Sequence, residues 1–375
     1  MKVDNNNIAT LQIFPGLEPK ERLIKRFSGM SNFSYGTVVA MSEEDCVFNA
    51  GNYKIVFVSQ LEGRGIATSL KLLRVLISEA RKLNTNRGID LVVAYDPLKI
   101  GLFGLLIKWI FNAKLLIEVN SELNAPALFN FKAGLSSKIK KFTYPKIKKF
   151  VLSFADGVKG LYRGQLDGVK LDKSVTVDHF FDYTPVELGQ YEDNEVKKVV
   201  SLGFPAYIKG YDFLIEAFNE LSEQFPEWQL EIIGHFNRHE IAEMNAQIAG
   251  NSKINVMKPI HFSEVPAKID SCNIFVLASR SEGMGRVLIE SMGRGRARIA
   301  SSVGGIPTVL ENGIDGHLFE SENVEELKHK LSLLMESEPE RKRVAENGLR
   351  RFSREFTLAA FIEKTEALYM GIVKR

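Results

Sequence analysis

The sequence predicts an α/β protein of two consecutive domains, each built on a mainly parallel sheet covered by helices on both faces. Three observations carry that expectation. The chain has 375 residues, too many for one comfortable hydrophobic core and natural for two domains of ordinary size. Short β-prone runs alternate with longer segments of helical period, as parallel sheets with crossover helices require. That alternation breaks once, at the polar, acidic, proline-containing connector from Tyr183 to Glu195, and then restarts.

In the first half, strands are expected at Ile8–Phe14, Gly36–Met41, Tyr53–Ser59, Ile89–Tyr95, Lys114–Val119 and Val175–Val177. Between them, Glu18–Phe27, Ile66–Lys82 and Leu98–Phe111 read as helices. In Ile66–Lys82 the apolar residues Leu70, Leu73, Leu76, Ile77 and Ala80 fall at amphipathic spacing. Gly101 and Gly104 weaken the third helix. The second half opens with a strand at Val196–Gly203, followed by helix Tyr211–Glu223, strand Gln229–Ile233 and helix Arg238–Ala249. Further strands are expected at Ile254–Met257, Asn273–Ala278, Ala297–Ser301 and His317–Phe319, with a helix over Val287–Met292. The closing segment, Arg354–Val373, again has helical period. The boundary falls near residue 184, giving domains 1–183 and 184–353 and a terminal helix 354–375 that packs on either domain or crosses back to the first. Two α/β halves of this kind place ligands outside the carboxyl ends of their strands, so a cleft between the halves is the expected site.

Composition narrows the class. A net charge of +3 does not imply nucleic acid. Cys46 and Cys272 are far apart and lack metal-ligand spacing, which fits a reducing, cytoplasmic setting. The polar start Met1–Asn7 has no apolar core of the kind a leader requires. The most apolar stretch, Ile100–Ile117, is interrupted by Lys108 and Lys114, and its longest uncharged run is well short of the roughly 18–20 residues that span a bilayer.

Chemistry concentrates in Ser279-Arg-Ser-Glu282-Gly283-Met284-Gly285-Arg286-Val-Leu-Ile-Glu290. An apolar strand precedes it and a helical period follows, so the stretch reads as strand, glycine turn, helix. Such a turn brings backbone N–H groups at a helix N-terminus to the end of a parallel strand, where an anion such as a phosphate is favoured. Glu290 lies eight positions after Glu282, a little over two helical turns and on roughly the same side, so both acids are expected to reach one bound molecule. Two glutamates at this spacing are ordinary by themselves, and the third glycine of a dinucleotide fingerprint is missing.

The continuation supplies what the pair lacks. After Met292 and Gly295 come Ile299-Ala-Ser-Ser-Val-Gly304-Gly305-Ile-Pro307 and then Glu311-Asn-Gly313-Ile-Asp-Gly316. This run of about forty residues resembles the nucleotide-sugar-binding region of the retaining family 4 glycosyltransferases (glycosyltransferase group 1), which have the GT-B fold: two Rossmann-like α/β domains facing each other across a cleft. Val200-Ser-Leu-Gly203-Phe-Pro-Ala-Tyr-Ile-Lys209-Gly210 resembles that family's phosphate loop and Lys-Gly helix start. Asp178-His179-Phe-Phe-Asp182 resembles, more weakly, the end of its first domain. In the first domain only the α/β order and length agree.

The resemblance implies an N-terminal acceptor-binding domain, a C-terminal donor-binding domain and a hexosyltransferase that uses a nucleotide-diphosphate sugar, with a UDP-sugar as donor and a glycan or lipid-linked acceptor. Glycan, polysaccharide or glycolipid synthesis is the implied setting. Lys209 would neutralise charge on the leaving diphosphate, an electrostatic role of large catalytic weight. Glu282 would hold a donor-sugar hydroxyl and Glu290 the ribose hydroxyls. Gly203, Gly283, Met284, Gly285 and Arg286 would surround the sugar and diphosphate. Retention would proceed with the leaving phosphate assisting the acceptor hydroxyl, with no protein nucleophile.

Three positions depart from the family pattern. Phe204 stands where the phosphate loop usually has an arginine, with Arg286 and Arg280 as candidate substitutes; Asn120 replaces a histidine at the end of a first-domain strand; and Thr308 replaces a glutamate after the Gly-Gly-x-Pro loop. Phe204 and Asn120 leave open a protein that binds nucleotide sugars without turnover; a nucleotide-sugar epimerase of the same fold is a third alternative that no residue distinguishes. No Asp-x-Asp occurs, and His235 with His239 lacks the acid of a His-Glu-x-x-His site, so neither a metal nor another cofactor is expected. Lys132 to Lys149 holds seven lysines, and no acid occurs between Leu123 and Ala155. Interleaved Leu135, Ile139, Phe142 and Phe150 make this run either a solvated helix face or a surface held peripherally at the anionic inner face of a membrane, with Tyr144-Pro145 interrupting the pattern. No nucleic-acid-binding module accompanies it.

Overall fold

A computed structural model of the chain describes residues 7–14, 20–60, 66–120 and 135–375. It divides into two compact units, Met1–Phe181 with Leu358–Arg375, and Asp182–Thr357.

In the first unit the described elements run β1 (Ile8–Ile13), α1 (Lys20–Met30), β2 (Ser34–Ser42), β3 (Cys46–Ala50), β4 (Tyr53–Ser59), α2 (Ile66–Arg87), β5 (Leu91–Ala94), α3 (Lys99–Phe111), β6 (Lys114–Glu118), α4 (Leu135–Ser153), β7 (Gly157–Gly160) and β8 (Thr176–His179). The sheet order is β3-β4-β2-β1-β5-β6-β7-β8. All neighbours pair in parallel except β3 with β4. Strand β3 has no counterpart in the sequence reading because its residues are mostly exposed at the sheet edge, where no alternation of buried and solvated faces is imposed. Strand β7, Gly-Val-Lys-Gly, escapes for a different reason: a buried lysine and two glycines do not look like a strand, yet all four residues are buried.

The helix expected over Glu18–Phe27 is described over Lys20–Met30; Glu18 and Pro19 lie outside the described residues. One expectation in this unit changes. Tyr144-Pro145 does not interrupt a helix: α4 runs through Pro145, forgoing the one backbone hydrogen bond that proline cannot donate. Residues 132–134 of the lysine run, and the side chains of 135–141, lie outside the described residues.

The second unit comprises β9 (Lys198–Leu202), α5 (Ala206–Lys209), α6 (Tyr211–Leu221), β10 (Gln229–Ile233), α7 (Arg238–Ile248), β11 (Ile254–Met257), α8 (Val265–Asp270), β12 (Ile274–Leu277), α9 (Arg286–Gly293), β13 (Ala297–Ser301), α10 (Ile306–Val309), β14 (His317–Phe319), α11 (Val324–Glu336) and α12 (Glu338–Glu355). Its described strands form a wholly parallel sheet in the order β11-β10-β9-β12-β13-β14. The chain therefore lays β10 and β11 to one side of β9, then returns to lay β12, β13 and β14 on the other. Helix α6 shows why the sheet holds together: Phe213, Leu214, Ala217, Phe218 and Leu221 are buried at helical spacing, each large side chain contributing about 1.5–3 kcal/mol by leaving water. Trp228 and Phe218 belong to the same core.

The closing helix, α13 (Leu358–Val373), begins four residues later than the expected Arg354, because α12 continues to Glu355. It is part of the first unit. There Tyr369 accepts a hydrogen bond from Gln12 Nε2 at 3.0 Å, and Phe361 packs its ring near Arg26 and Lys159. Those two cations share the buried carboxylate of Glu118, Lys159 at 3.0 Å and Arg26 at 3.6 Å. A buried group of this kind is tolerated only because its charges and hydrogen bonds are mutually satisfied.

Truncating the shared core tests the packing of the second unit. Phe218→Ala should lower its unfolding free energy by about 3–5 kcal/mol, measured by denaturant titration of the single buried tryptophan of that unit, Trp228.

Candidate functional site

The reversal of strand order in the second unit falls between β9 and β12, which are direct neighbours. The loops that leave their carboxyl ends run to opposite faces of the sheet and open a crevice at that point. An open pocket of about 480 Å³ lies there, lined by Gly203, Phe204 and Lys209 after β9, by His235 after β10, by Pro259, Ile260 and Phe262 after β11, and by Glu282, Gly285, Arg286 and Glu290 after β12. This volume is that of a small-ligand site.

Gly203 ends β9 at φ +139°, and a Cβ there would come within 2.7 Å of Lys209 Cε, so the missing side chain leaves room for the lysine to lie across the strand end. The Tyr211 hydroxyl donates to the Gly203 carbonyl at 2.9 Å. Burial raises the pKa of that phenol well above its usual value, which keeps it a donor. Lys209 is the last residue of α5, and Gly210 turns the chain into α6 with left-handed φ +65°. A Cβ on Gly210 would stand 2.0 Å from the Ala278 carbonyl oxygen, so this close approach of the two loops requires glycine.

On the other side, the Lys209 ammonium donates to Glu282 Oε2 at 2.5 Å, and both side chains are largely buried. The backbone joins the same two loops: the Arg280 N–H donates to the Ile208 carbonyl at 2.8 Å. The turn 279–285 is braced from below. Ser301 Oγ donates to the Ser279 carbonyl at 2.6 Å, and the Gly305 N–H donates to the Gly283 carbonyl at 2.7 Å. A Cβ on Gly304 would meet the Glu282 carbonyl oxygen at 1.8 Å. The Gly-Gly-Ile-Pro loop is thus the support on which the Glu282 turn rests.

Helix α9 starts at Arg286 with Gly285 as its left-handed N-cap. Its first residues line the pocket, so the positive end of its dipole favours an anion there. Glu290 reaches the pocket from the second turn of α9. The expected geometry is corrected on this point: Glu282 precedes the helix, so the two acids are not related by two turns of one axis. They share a pocket because the turn folds back against Lys209.

Other expected site residues divide between pocket and support. Gly203, Lys209, Glu282, Gly285, Arg286 and Glu290 line the pocket. Met284 is 5% exposed and packs beneath the turn, where its sulfur accepts from Thr308 Oγ1 at 3.5 Å. Gly283 contributes the carbonyl that Gly305 binds. Arg280 is no substitute for the arginine missing at Phe204. It forms a two-pronged pair with Asp212 at 2.8 and 2.6 Å, donates to Glu322 and to the Tyr207 carbonyl, and lies over the Tyr207 ring. Those bonds, to Asp212 first, raise its pKa above the ordinary arginine value and commit its charge to holding α5, α6 and β12 together. Gly313 and Gly316 shape a loop in which Asp315 accepts from Arg351 and from the Glu311 N–H, away from the pocket lining. Asn120 belongs to the first unit, where it donates to Glu118 at 3.4 Å.

The pocket also has an apolar wall not expected from the sequence, in which Phe204, noted there as a departure at the phosphate loop and 62% exposed, stands edge-on to His235 beside Pro259, Ile260 and Phe262. Its one available signal was position, since each follows the carboxyl end of β9, β10 or β11 on one side of the sheet. Glu240 fixes this wall by accepting the Ala206 N–H at 2.9 Å while capping α7 through the Asn237 N–H.

Comparison with known proteins agrees with this architecture. Residues 189–351 match the model of the family described as glycosyl transferases group 1. A glycosyltransferase of Methanocaldococcus jannaschii without an assigned reaction is 34% identical over 150 residues, 40% of this chain and 41% of that protein. The matched part spans less than half the length of the curated relatives, 41% and 49% for two of them. Among solved structures, sucrose-phosphate synthase from Thermosynechococcus elongatus superposes with a TM-score of 0.75 at 15% identity, covering 98% of this chain and 99% of that one. Anabaena HepE in complex with UDP gives 0.68 at 16% identity, covering 96% and 98%. The chain has the GT-B fold, and the stretch that resembles the glycosyl transferases group 1 model, residues 189–351, lies in its second unit.

The supporting role of Arg280 can be measured. Arg280→Met should lower stability by about 1–3 kcal/mol through the loss of charged hydrogen bonds, read by denaturant unfolding.

Proposed function

We propose that the protein is a retaining glycosyltransferase that moves a hexose from a UDP-sugar to an acceptor hydroxyl in glycan, polysaccharide or glycolipid synthesis. The observation that carries this reading is the meeting of Lys209, Glu282, Glu290 and the start of α9 around one pocket at the strand-order reversal. The diphosphate lies against the α9 N-terminus, with Arg286 at the rim. Lys209 compensates the charge that grows on it as the glycosidic bond breaks, a contribution worth most where water is excluded. Glu282, already held by Lys209, accepts a hydroxyl of the donor sugar, and Glu290 accepts the ribose hydroxyls. The base rests on the apolar wall of Phe204, Ile260 and Phe262. No side chain of the pocket is needed as a nucleophile, since the departing phosphate guides the acceptor to the same face. Acceptor choice falls to the first unit, and a glycan or lipid-linked acceptor fits the family. The setting is cytoplasmic, with the basic run 132–149 at the anionic inner face of a membrane; no described helix is long and apolar enough to cross one.

A second reading is favoured by Phe204 together with Arg280. With an aromatic at the phosphate loop and the neighbouring arginine fully engaged, the pocket has fewer cations than the family pattern supplies. A protein that binds nucleotide sugars without transferring them is therefore the competing reading.

Release of nucleotide from a panel of nucleotide sugars, with and without acceptor extract, separates the two. Transfer requires acceptor-dependent release of UDP from at least one donor, and binding without release from any donor refutes it. Glu290→Ala should weaken nucleotide binding about ten- to a hundredfold by calorimetry, the value of a lost charged hydrogen bond. Lys209→Ala should lower the release rate about a hundred- to a thousandfold while leaving nucleoside binding nearly intact.

A further inference from the structure

An exposed apolar grouping among the described residues of the first unit sits where helices α3 and α4 pack side by side. Trp109 and Ile110, near the end of α3, are 55% and 52% exposed, and Phe142, Phe150 and Phe154 of the α4 segment are 67%, 45% and 44% exposed. Trp109, Phe154 and Phe150 form a continuous row. The Phe154 ring stands edge-on to Trp109 at 5.7 Å and to Phe150 at 5.1 Å. One turn before Phe150, the Lys146 ammonium lies 3.7 Å above the Phe142 ring. The row is held rigid by Lys108, which donates to the Phe154 carbonyl at 2.8 Å and to Asp156 at 2.6 Å. Neither helix contains an acidic residue. The acid at the edge of the row, Asp156, is engaged by Lys108 and by the Leu115 N–H. Beside the row, Lys148, Lys149 and Lys170 converge with one acid, Asp167, on a pocket of about 460 Å³ that Pro145 also lines.

We infer that the α3–α4 face is the membrane-docking surface of the protein: Trp109, Ile110, Phe150 and Phe154 enter the interfacial layer of a bilayer while Lys146 and Lys149 engage anionic lipid headgroups. A row of exposed aromatic side chains is unusual on a soluble surface and marks an interaction site. Tryptophan and phenylalanine beside lysine are the composition of segments that lie in the headgroup region, with the rings buried and the ammonium groups at the phosphates. Charge selects a lipid occupant over a second copy of the chain. A two-fold contact through this face would set Lys146, Lys148, Lys149 and Lys170 of one copy against those of the other, with Asp167 and the already engaged Asp156 to offset them, whereas an anionic bilayer offers the opposite sign across the whole face, at about 1 kcal/mol per lysine near the surface. The inference takes up the membrane setting proposed above but moves its anchor from the lysine run alone to the aromatic row. It is independent of the chemistry assigned to the second unit.

The tryptophans supply a direct readout. The chain has two; Trp109 is in the row, and Trp228 is 1% exposed in the core of the second unit. The full chain is sedimented with vesicles of phosphatidylcholine alone or mixed with phosphatidylglycerol, and its fluorescence is followed with bromine-labelled acyl chains. Docking predicts binding to the anionic vesicles only, weakened by salt, with quenching that disappears in Trp109→Ser because Trp228 stays shielded. Lys146→Glu with Lys149→Glu should lower vesicle partitioning by at least about thirtyfold. Trp109→Ser with Phe154→Ser should weaken binding while keeping its preference for anionic lipid. Absence of binding to anionic vesicles, binding without quenching of Trp109, or a salt-resistant dimer lost in the Trp109→Ser/Phe154→Ser variant would each overturn the inference. Nucleotide affinity, measured on the same variants without lipid, is expected to be unchanged, so failure of docking and failure of the transferase reading are separately visible.

Discussion

Parallel pairing of β9 with β12 is the constraint on which the site depends. The strands are adjacent, yet the chain leaves them in opposite directions, so a crevice opens above their carboxyl ends where the two loops meet. Those loops approach so closely that Gly210 lies against the Ala278 carbonyl and the Arg280 N–H bonds to Ile208. The Lys209–Glu282 contact follows from this approach. It is a side-chain contact laid over a backbone one, which is why a lysine and a glutamate seventy-three positions apart meet at 2.5 Å.

Around that contact the second unit separates cations that hold the scaffold from cations that face the pocket. Arg280 is close to the phosphate loop and has the right charge, but Asp212 and Glu322 neutralise it and the Tyr207 ring fixes its plane. Lys209 has one carboxylate partner, and that partner is itself a pocket residue. Arg286 is exposed at the helix start. Proximity to a site therefore says little about a charged group until its existing partners are counted. The same holds for glycine: Gly285 caps the helix at the pocket, whereas Gly304 works beneath it by letting one backbone pass within contact distance of another.

The first unit obeys a different economy of charge. Inside, Lys159, Arg26 and Glu118 are satisfied among themselves and under aromatic rings, and they fasten α13 to the sheet through Phe361 and Tyr369. Outside, helices α3 and α4 themselves contain no acidic residue, and several of their aromatic side chains are exposed. Buried charge that is paired and exposed apolar surface that is not paired are both departures from the ordinary distribution, and the second is the one that calls for a partner.

The sequence by itself determined the α/β class of the two halves, most strand positions and the strand, glycine turn and helix that carry Glu282 and Glu290, because hydrophobic period and turn chemistry are local properties. It also marked Lys209 and Gly203 through their resemblance to a known loop. It did not reveal β7, whose lysine is buried only because Glu118 lies on the next strand, nor the edge strand β3, nor a helix running through Pro145. Strand order was not legible either, and strand order decides the site: which loops adjoin, that Glu282 stands before α9 rather than on it, that Met284 and the Gly-Gly-Ile-Pro loop are supports, and that Phe204, His235 and Phe262 form one wall. Each of these depends on contacts between residues distant in the chain, which only parallel pairing and the packing of helices against it bring together.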